Sequence, residues 1–155
     1  MGCIFCQLVN GEKKNHANGY PFEILRETKD TIAFLSIVLP MTEDGHILII
    51  PKDHYANVED IPKIVLNQLI GQVSVLTKIL RTKHGGCNVL LNDGVVAGQT
   101  VFHSHFHILP RDKGDKIKIE VYKCKKMNKK EFLYLQQNIK QMCEQYSNYP
   151  SLTVN

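Results

Sequence analysis

Two kinds of apolar spacing run along this chain and divide it into elements. Thr31-Ile32-Ala33-Phe34-Leu35-Ser36-Ile37 is a nearly unbroken apolar run that predicts a strand, with Pro40 and Asp44-Gly45 marking the turn that ends it. His46-Ile47-Leu48-Ile49-Ile50 predicts a second strand, stopped by Pro51 and placed to pair with the first as a hairpin. From Asn57 to Lys83 the residues Ile61, Val65, Leu69, Val73, Leu76 and Leu80 recur at steps of three and four, which lays one stripe along a long helix. Glu59 and Asp60, with Pro62 just behind them, suit its first turn, and Gly85-Gly86 closes it. Cys87 to Leu91 predicts a third strand. A loop from Asn92-Asp93-Gly94 through Ala97-Gly98 then leads to a fourth, Val101 to Leu109, and residues 116–121 add an edge strand. A last helix, Asn128 to Tyr146, has Asn128 and Glu131 at capping-box spacing and an apolar face of Phe132, Leu135, Ile139, Met142 and Tyr146. Near the start, Ile4 to Val9 is a short apolar stretch, and Asn10-Gly11 and Asn18-Gly19 frame a polar loop without periodicity. Strands, helix, strands, helix, with no regular crossover helices, predict an α+β fold with an antiparallel sheet, one long central helix and a C-terminal helix.

A length of 155 residues suits a single domain, here 1–155, with a core of useful size. Hydrophobic residues at 43% and charged residues at 22% are ordinary for a globular protein and exclude disordered and fibrous classes. No apolar run reaches the roughly 18 residues that span a bilayer, and no signal-peptide core is present, so no membrane partner and a cytoplasmic setting are expected. The net charge of +4 is modest and only mildly concentrated between Lys113 and Lys130, which fits a solvated basic rim favouring anionic ligands rather than a nucleic-acid face. Five cysteines is an odd number for a disulfide framework, so the close pair Cys3 and Cys6 points to metal or redox chemistry.

The most informative stretch is His103-Ser104-His105-Phe106-His107-Ile108-Leu109. On a strand its histidines project from one face, while Phe106 and Ile108 turn into the core. Three imidazoles on one face can ligate a metal, or one can attack phosphorus while its neighbours orient it and handle protons. Alternate positions on one strand hold ring anchors roughly 6.5–7 Å apart and converge poorly on one ion, which favours the nucleophile.

This stretch resembles the His-x-His-x-His-x-x signature of the histidine-triad (HIT) family. Asn92-Asp93-Gly94, Ala97-Gly98-Gln99-Thr100 and Gly45-His46-Ile47-Leu48-Ile49-Ile50-Pro51-Lys52-Asp53-His54 resemble it in order and spacing, so that the likeness covers about residues 3–112. The C-terminal helix, about 128–146, lies outside it. The resemblance implies a HIT-like fold and attack by His105 on the α-phosphate of a nucleoside phosphoramidate or dinucleoside polyphosphate. A nucleotidyl-histidine then forms, and water releases a nucleoside monophosphate. It further implies that the His103 carbonyl fixes the His105 tautomer, and that His107 with Gln99 or Thr100 and backbone N–H groups near Gly98 holds phosphate oxygens and the leaving group. Asn92 contacts the phosphate or ribose. The base pocket of an AMP-like purine nucleotide falls to Phe5, Leu8, Ile24, Phe34 and Ile37. Ser36 stands where relatives commonly place an Asp for the ribose hydroxyls, and Ser104 where they mostly have an apolar residue.

Cys3-x-x-Cys6 serves either redox chemistry or zinc, and an N-terminal tail lacks the strand-to-helix setting of the redox motif. In the zinc-carrying branch of the family, His54 and His103 match the positions that complete a structural Cys-Cys-His-His site. His46 is the competing histidine, with packing or hydrogen bonding as its favoured role. The long helix resembles the element through which relatives form a homodimer. Two other functions share these features: a dimeric nucleotide-binding scaffold with slow turnover, and a nucleotidyltransferase.

Overall fold

The computed structural model describes residues 2–37, 45–119 and 126–146, and the chain forms two compact units, residues 1–117 and 118–155. The predicted turn at Pro40 and Asp44 and the end of the predicted edge strand at Val121 lie outside the described residues. Within the larger unit run α1 (Ile4–Val9), β1 (Ile24–Glu27), β2 (Thr31–Leu35), β3 (Ile47–Pro51), α2 (Lys63–Leu80), β4 (Gly86–Leu91) and β5 (Phe106–Arg111). The strands form one antiparallel sheet in the order β1-β2-β3-β5-β4.

The sheet separates two apolar clusters, and this explains why β2 and β3 read as continuous apolar runs. Ala33, Ile47, Ile49, Phe106 and Ile108 face α2, where Ile61, Val65, Leu69 and Leu76 meet them. The alternate positions Ile32, Phe34, Leu48 and Ile50 face the other way and are covered by Phe5 and Leu8 of α1. With both faces buried, a one-residue slip between β2 and β3 exchanges one core for the other, so the register Phe34↔Leu48, Ile32↔Ile50 is firmly set.

Several predicted boundaries move: the first strand ends at Leu35 and the long helix at Leu80. The long helix does not begin at Asn57: Val58–Asp60 is a separate 3-10 turn, and Ile61 is extended (ψ 123°) because Pro62 behind it excludes the helical conformation. Pro62 then caps α2. The fourth strand begins at Phe106 rather than Val101. Upstream, His103 N donates to Val101 O (2.8 Å) and Ser104 N to Tyr55 O (2.6 Å), so that segment is tied to the loop after β3 and not to the ladder. Residues 116–119 are not a strand: Ile117 closes a polar loop, its N–H on Asp115 (3.0 Å) and its carbonyl accepting from Arg111 (2.7 Å). The short apolar stretch Ile4–Val9 is the helix α1, and the exposed edge strand β1 had no counterpart in the pattern.

In the second unit α3 (Lys129–Tyr146) starts with a reciprocal capping box. Asn128 Oδ1 accepts from Glu131 N (3.0 Å) and Glu131 Oε2 accepts from Asn128 N (2.9 Å).

Candidate active site and metal cluster

The three histidines of the 103–107 stretch do not share one strand face. Only His107 sits in β5, opposite Leu48 and Leu90. His105 is the last residue before the strand, and His103 turns into the segment tied to Tyr55. The chain thus distributes the triad between two sites.

On the α1 side of the sheet is a cavity of about 350 Å³. Of the residues assigned to nucleotide binding from the sequence, Phe5, Phe34, Ser36, Ile37, Asn92, Gly98, Thr100, His105 and His107 line it, as does Leu8. Ile24 does not: it is 45% exposed on the edge strand. Gln99 is buried but does not line the cavity either. Its Oε1 accepts from Gly94 N (2.8 Å) and its Nε2 donates to Ala56 O (2.8 Å), which closes the 94–99 loop on itself and pins it to the loop after β3. The N–H groups of Ala97, Gly98 and Gln99 are also spent inside that loop, on Gly94 O, Val95 O and Gly94 O. The Asn92 and Thr100 side chains line the cavity on this side.

His105 Nδ1 lies 2.7 Å from the His103 carbonyl, and a carbonyl oxygen only accepts, so Nδ1 carries the proton. Burial holds the ring below the ordinary imidazole range, which leaves it neutral with its lone pair on Nε2. The His107 ring is 4.7 Å away. Burial first, then His105 and His46, pushes His107 down to about 4. Its Nδ1 is 2.9 Å from His46 Nε2, the two rings are stacked 5.0 Å apart, and its buried Nε2 has no hydrogen-bond partner among the described residues. His46, the competing metal histidine of the sequence, takes the hydrogen-bonding role that was its other reading. Counting back in twos from Leu48, which pairs with His107, puts His46 on the same face of the sheet.

The second site gathers Cys3, Cys6, His54 and His103, whose ligand atoms all lie within 4.8 Å of one another. Cys3 Sγ–His103 Nδ1 is 3.5 Å, Cys6 Sγ–His103 Nδ1 3.6 Å and Cys6 Sγ–His54 Nδ1 3.4 Å. Tetrahedral zinc with ordinary Zn–S and Zn–N lengths sets sulfur and nitrogen about 3.6 Å apart, so the donor set and its spacing fit a structural zinc ion. His103 Nε2 donates to Pro51 O (2.9 Å), which leaves Nδ1 unprotonated toward the thiols, as a metal ligand requires. Ser104, between the two sites, is buried, with no partner for its hydroxyl among the described residues.

Comparisons with known proteins show the family and the fold. The family model for the HIT domain matches residues 19–114. An adenosine 5′-monophosphoramidase of Candida albicans is 42% identical over 115 residues, covering 70% of each chain. The crystal structure of a histidine triad nucleotide-binding protein from Candida albicans superposes with a TM-score of 0.77 at 32% identity, covering 93% of this chain and 99% of that one. A zinc-bound histidine triad family protein from Mycobacterium smegmatis does so with a TM-score of 0.65 at 28% identity, over 93% of this chain and 97% of that one. The chain belongs to the HIT domain family.

Proposed function

We propose that this protein hydrolyses a nucleoside 5′-phosphoramidate, with His105 as nucleophile. What carries the reading is the 2.7 Å bond from His105 Nδ1 to the His103 carbonyl, which directs an unprotonated Nε2 to the wall of a nucleotide-sized cavity. The name of the Candida albicans relative supports the substrate class. Nε2 attacks the α-phosphorus. A nitrogen–phosphorus bond to His105 forms as the bond to the leaving amine breaks, and the amine departs with that electron pair and a proton taken from solvent. Water then displaces the nucleotidyl group from His105 and returns a proton to solvent, releasing the nucleoside monophosphate and restoring the imidazole. In the tautomer where His46 donates to His107 Nδ1, His107 presents an Nε2–H to a phosphate oxygen. Asn92 and Thr100 hold phosphate or ribose oxygens, and Ser36 stands on the ribose side. Gln99 is a positioning residue for the 94–99 loop.

Cys3, Cys6, His54 and His103 hold zinc in this reading; bound there, the ion supplies structural rigidity to the segment that carries the His103 carbonyl. Cys3, Cys6, Cys87 and Cys143 form no disulfide among the described residues, and no described helix is long and apolar enough to cross a membrane. The test of the substrate class is release of AMP from adenosine 5′-phosphoramidate and from diadenosine polyphosphates. The phosphoramidate is expected to turn over faster, and no release from either sinks the reading.

We also assign a homodimer across β4 and α2. β4 ends the sheet, and Val89 on it and Ile70 and Ile79 on α2 are 40%, 49% and 54% exposed. The wild type is expected to elute from gel filtration at micromolar concentration as a dimer and Val89→Lys as a monomer. A monomeric wild type removes the assignment.

A further inference from the structure

The polar loop between α1 and β1 takes no part in the chemistry above, yet it brings a histidine to the wall of the same cavity. Asn15 and Pro21 form an antiparallel bridge. Inside it His16 N donates to Tyr20 O (2.8 Å), Gly19 N to His16 O (2.9 Å) and Tyr20 N to Asn18 Oδ1 (3.1 Å). Gly19, at φ +84°, supplies the left-handed residue this tight turn needs. Phe22 N reaches back to Lys14 O (3.0 Å), so the backbone on both sides of His16 is held.

The His16 ring meets Phe22 edge-on at 5.6 Å and lies 6.1 Å from Phe34. Phe34 is 5.6 Å from Phe5, and Phe5 is 5.3 Å from His105. A chain of ring contacts thus connects His16 to the nucleophile, with two phenylalanines between them. The half-buried His16 ring makes no hydrogen bond to any described residue, so its nitrogens are available to a ligand. Burial holds it below the ordinary imidazole range, and a neutral imidazole offers one donor and one acceptor.

We propose that His16 is a specificity-determining residue that hydrogen-bonds the six-membered edge of a purine whose phosphate lies at His105. The assignment rests on the nucleotide reading above. In a nucleoside monophosphate that edge is the part of the base farthest from the sugar, and in adenine it carries an acceptor nitrogen beside the 6-amino donor. The apolar walls at Phe5, Leu8, Phe34 and Ile37 take a flat ring by burial and read none of its edges. His16 adds a polar contact to these apolar walls, two phenylalanine rings removed from His105.

The test is calorimetric binding of AMP and of benzimidazole riboside 5′-monophosphate, which keeps the bicyclic shape but has only carbon in its six-membered ring. Wild type, His16→Ala and His16→Phe are compared. His16→Ala is expected to weaken AMP about three- to tenfold, the value of one hydrogen bond, and to leave the benzimidazole nucleotide within about twofold. His16→Phe is expected not to restore AMP. Unchanged AMP binding overturns the proposal. So does equal weakening of both nucleotides that phenylalanine reverses, since His16 is then only a wall. A protein that binds in the expected pattern but releases no AMP from a phosphoramidate supports the His16 assignment and overturns the activity reading. A wild type that binds neither nucleotide overturns both.

Discussion

Replacing His105 by alanine is expected to lower AMP release from adenosine 5′-phosphoramidate by about a thousandfold or more, while AMP still binds. The mutation removes the one lone pair that the backbone orients. The His103 carbonyl holds Nδ1–H, so Nε2 is the atom left to attack, and no rotation of the ring is needed to expose it. His107 cannot take over. Its position is set by the pairing of β5 with Leu48 on one side and Leu90 on the other, and its Nδ1 is engaged with His46. The apolar walls that seat the base are untouched, which is why binding and turnover separate. Intact mass after rapid denaturation at neutral or alkaline pH, where a phosphorus–nitrogen bond to histidine survives, is expected to show a nucleotidyl adduct on wild type and none on His105→Ala. A variant that keeps its rate moves the reaction to direct attack by water and removes the covalent intermediate.

Much of the scaffold behind this site could be read from spacing alone. β2, β3 and the apolar stripe of α2 are long or regular enough for burial to leave its period in the residues, and the Asn128–Glu131 box is local chemistry that needs no tertiary context. Elements went unread where the determinant lies elsewhere in the chain. All residues of β1 are exposed and its ladder shifts register between Ile24 and Arg26, so no alternation marks it. α1 is too short to show a helical period. The sequence spacing at His103, His105 and His107 is that of a strand, but the Tyr55 carbonyl captures Ser104 N and bends the chain away from the sheet.

The same competition separates roles within the site. Alternation predicted three imidazoles side by side; the bend instead sends His103 to the cysteines and leaves His105 and His107 at the cavity. Gln99, assigned to the phosphate by resemblance, has partners that no spacing reveals. Gly94 and Ala56 satisfy both ends of its carboxamide.

Removing the metal is expected to have the second large effect, and it falls on stability first. Protein purified without chelator is expected to carry about one zinc per chain by elemental analysis, and Cys6→Ser to carry almost none. Cys3 and Cys6 flank the first turn of α1, whose Phe5 and Leu8 close one of the two cores, while His54 and His103 come from the loop after β3 and the segment before β5. An ion held there would tie the N-terminal helix to the sheet. Without one, burial and the neighbouring Cys3 push the Cys6 thiol up to about 11, so Cys6 stays protonated and supplies no ionic tie of its own. Chelation or Cys6→Ser is expected to lower the melting temperature by about 10 °C or more. Turnover is expected to fall with it at temperatures where the chain is still folded. His103 offers Nδ1 to the cluster and its carbonyl to His105, so a His103 released from the cluster no longer holds the nucleophile's tautomer. A metal-free protein with an unchanged melting curve and unchanged activity would reduce the four residues to packed thiols and imidazoles, and the orientation of His105 would then rest on the backbone bonds of residues 101–104 alone.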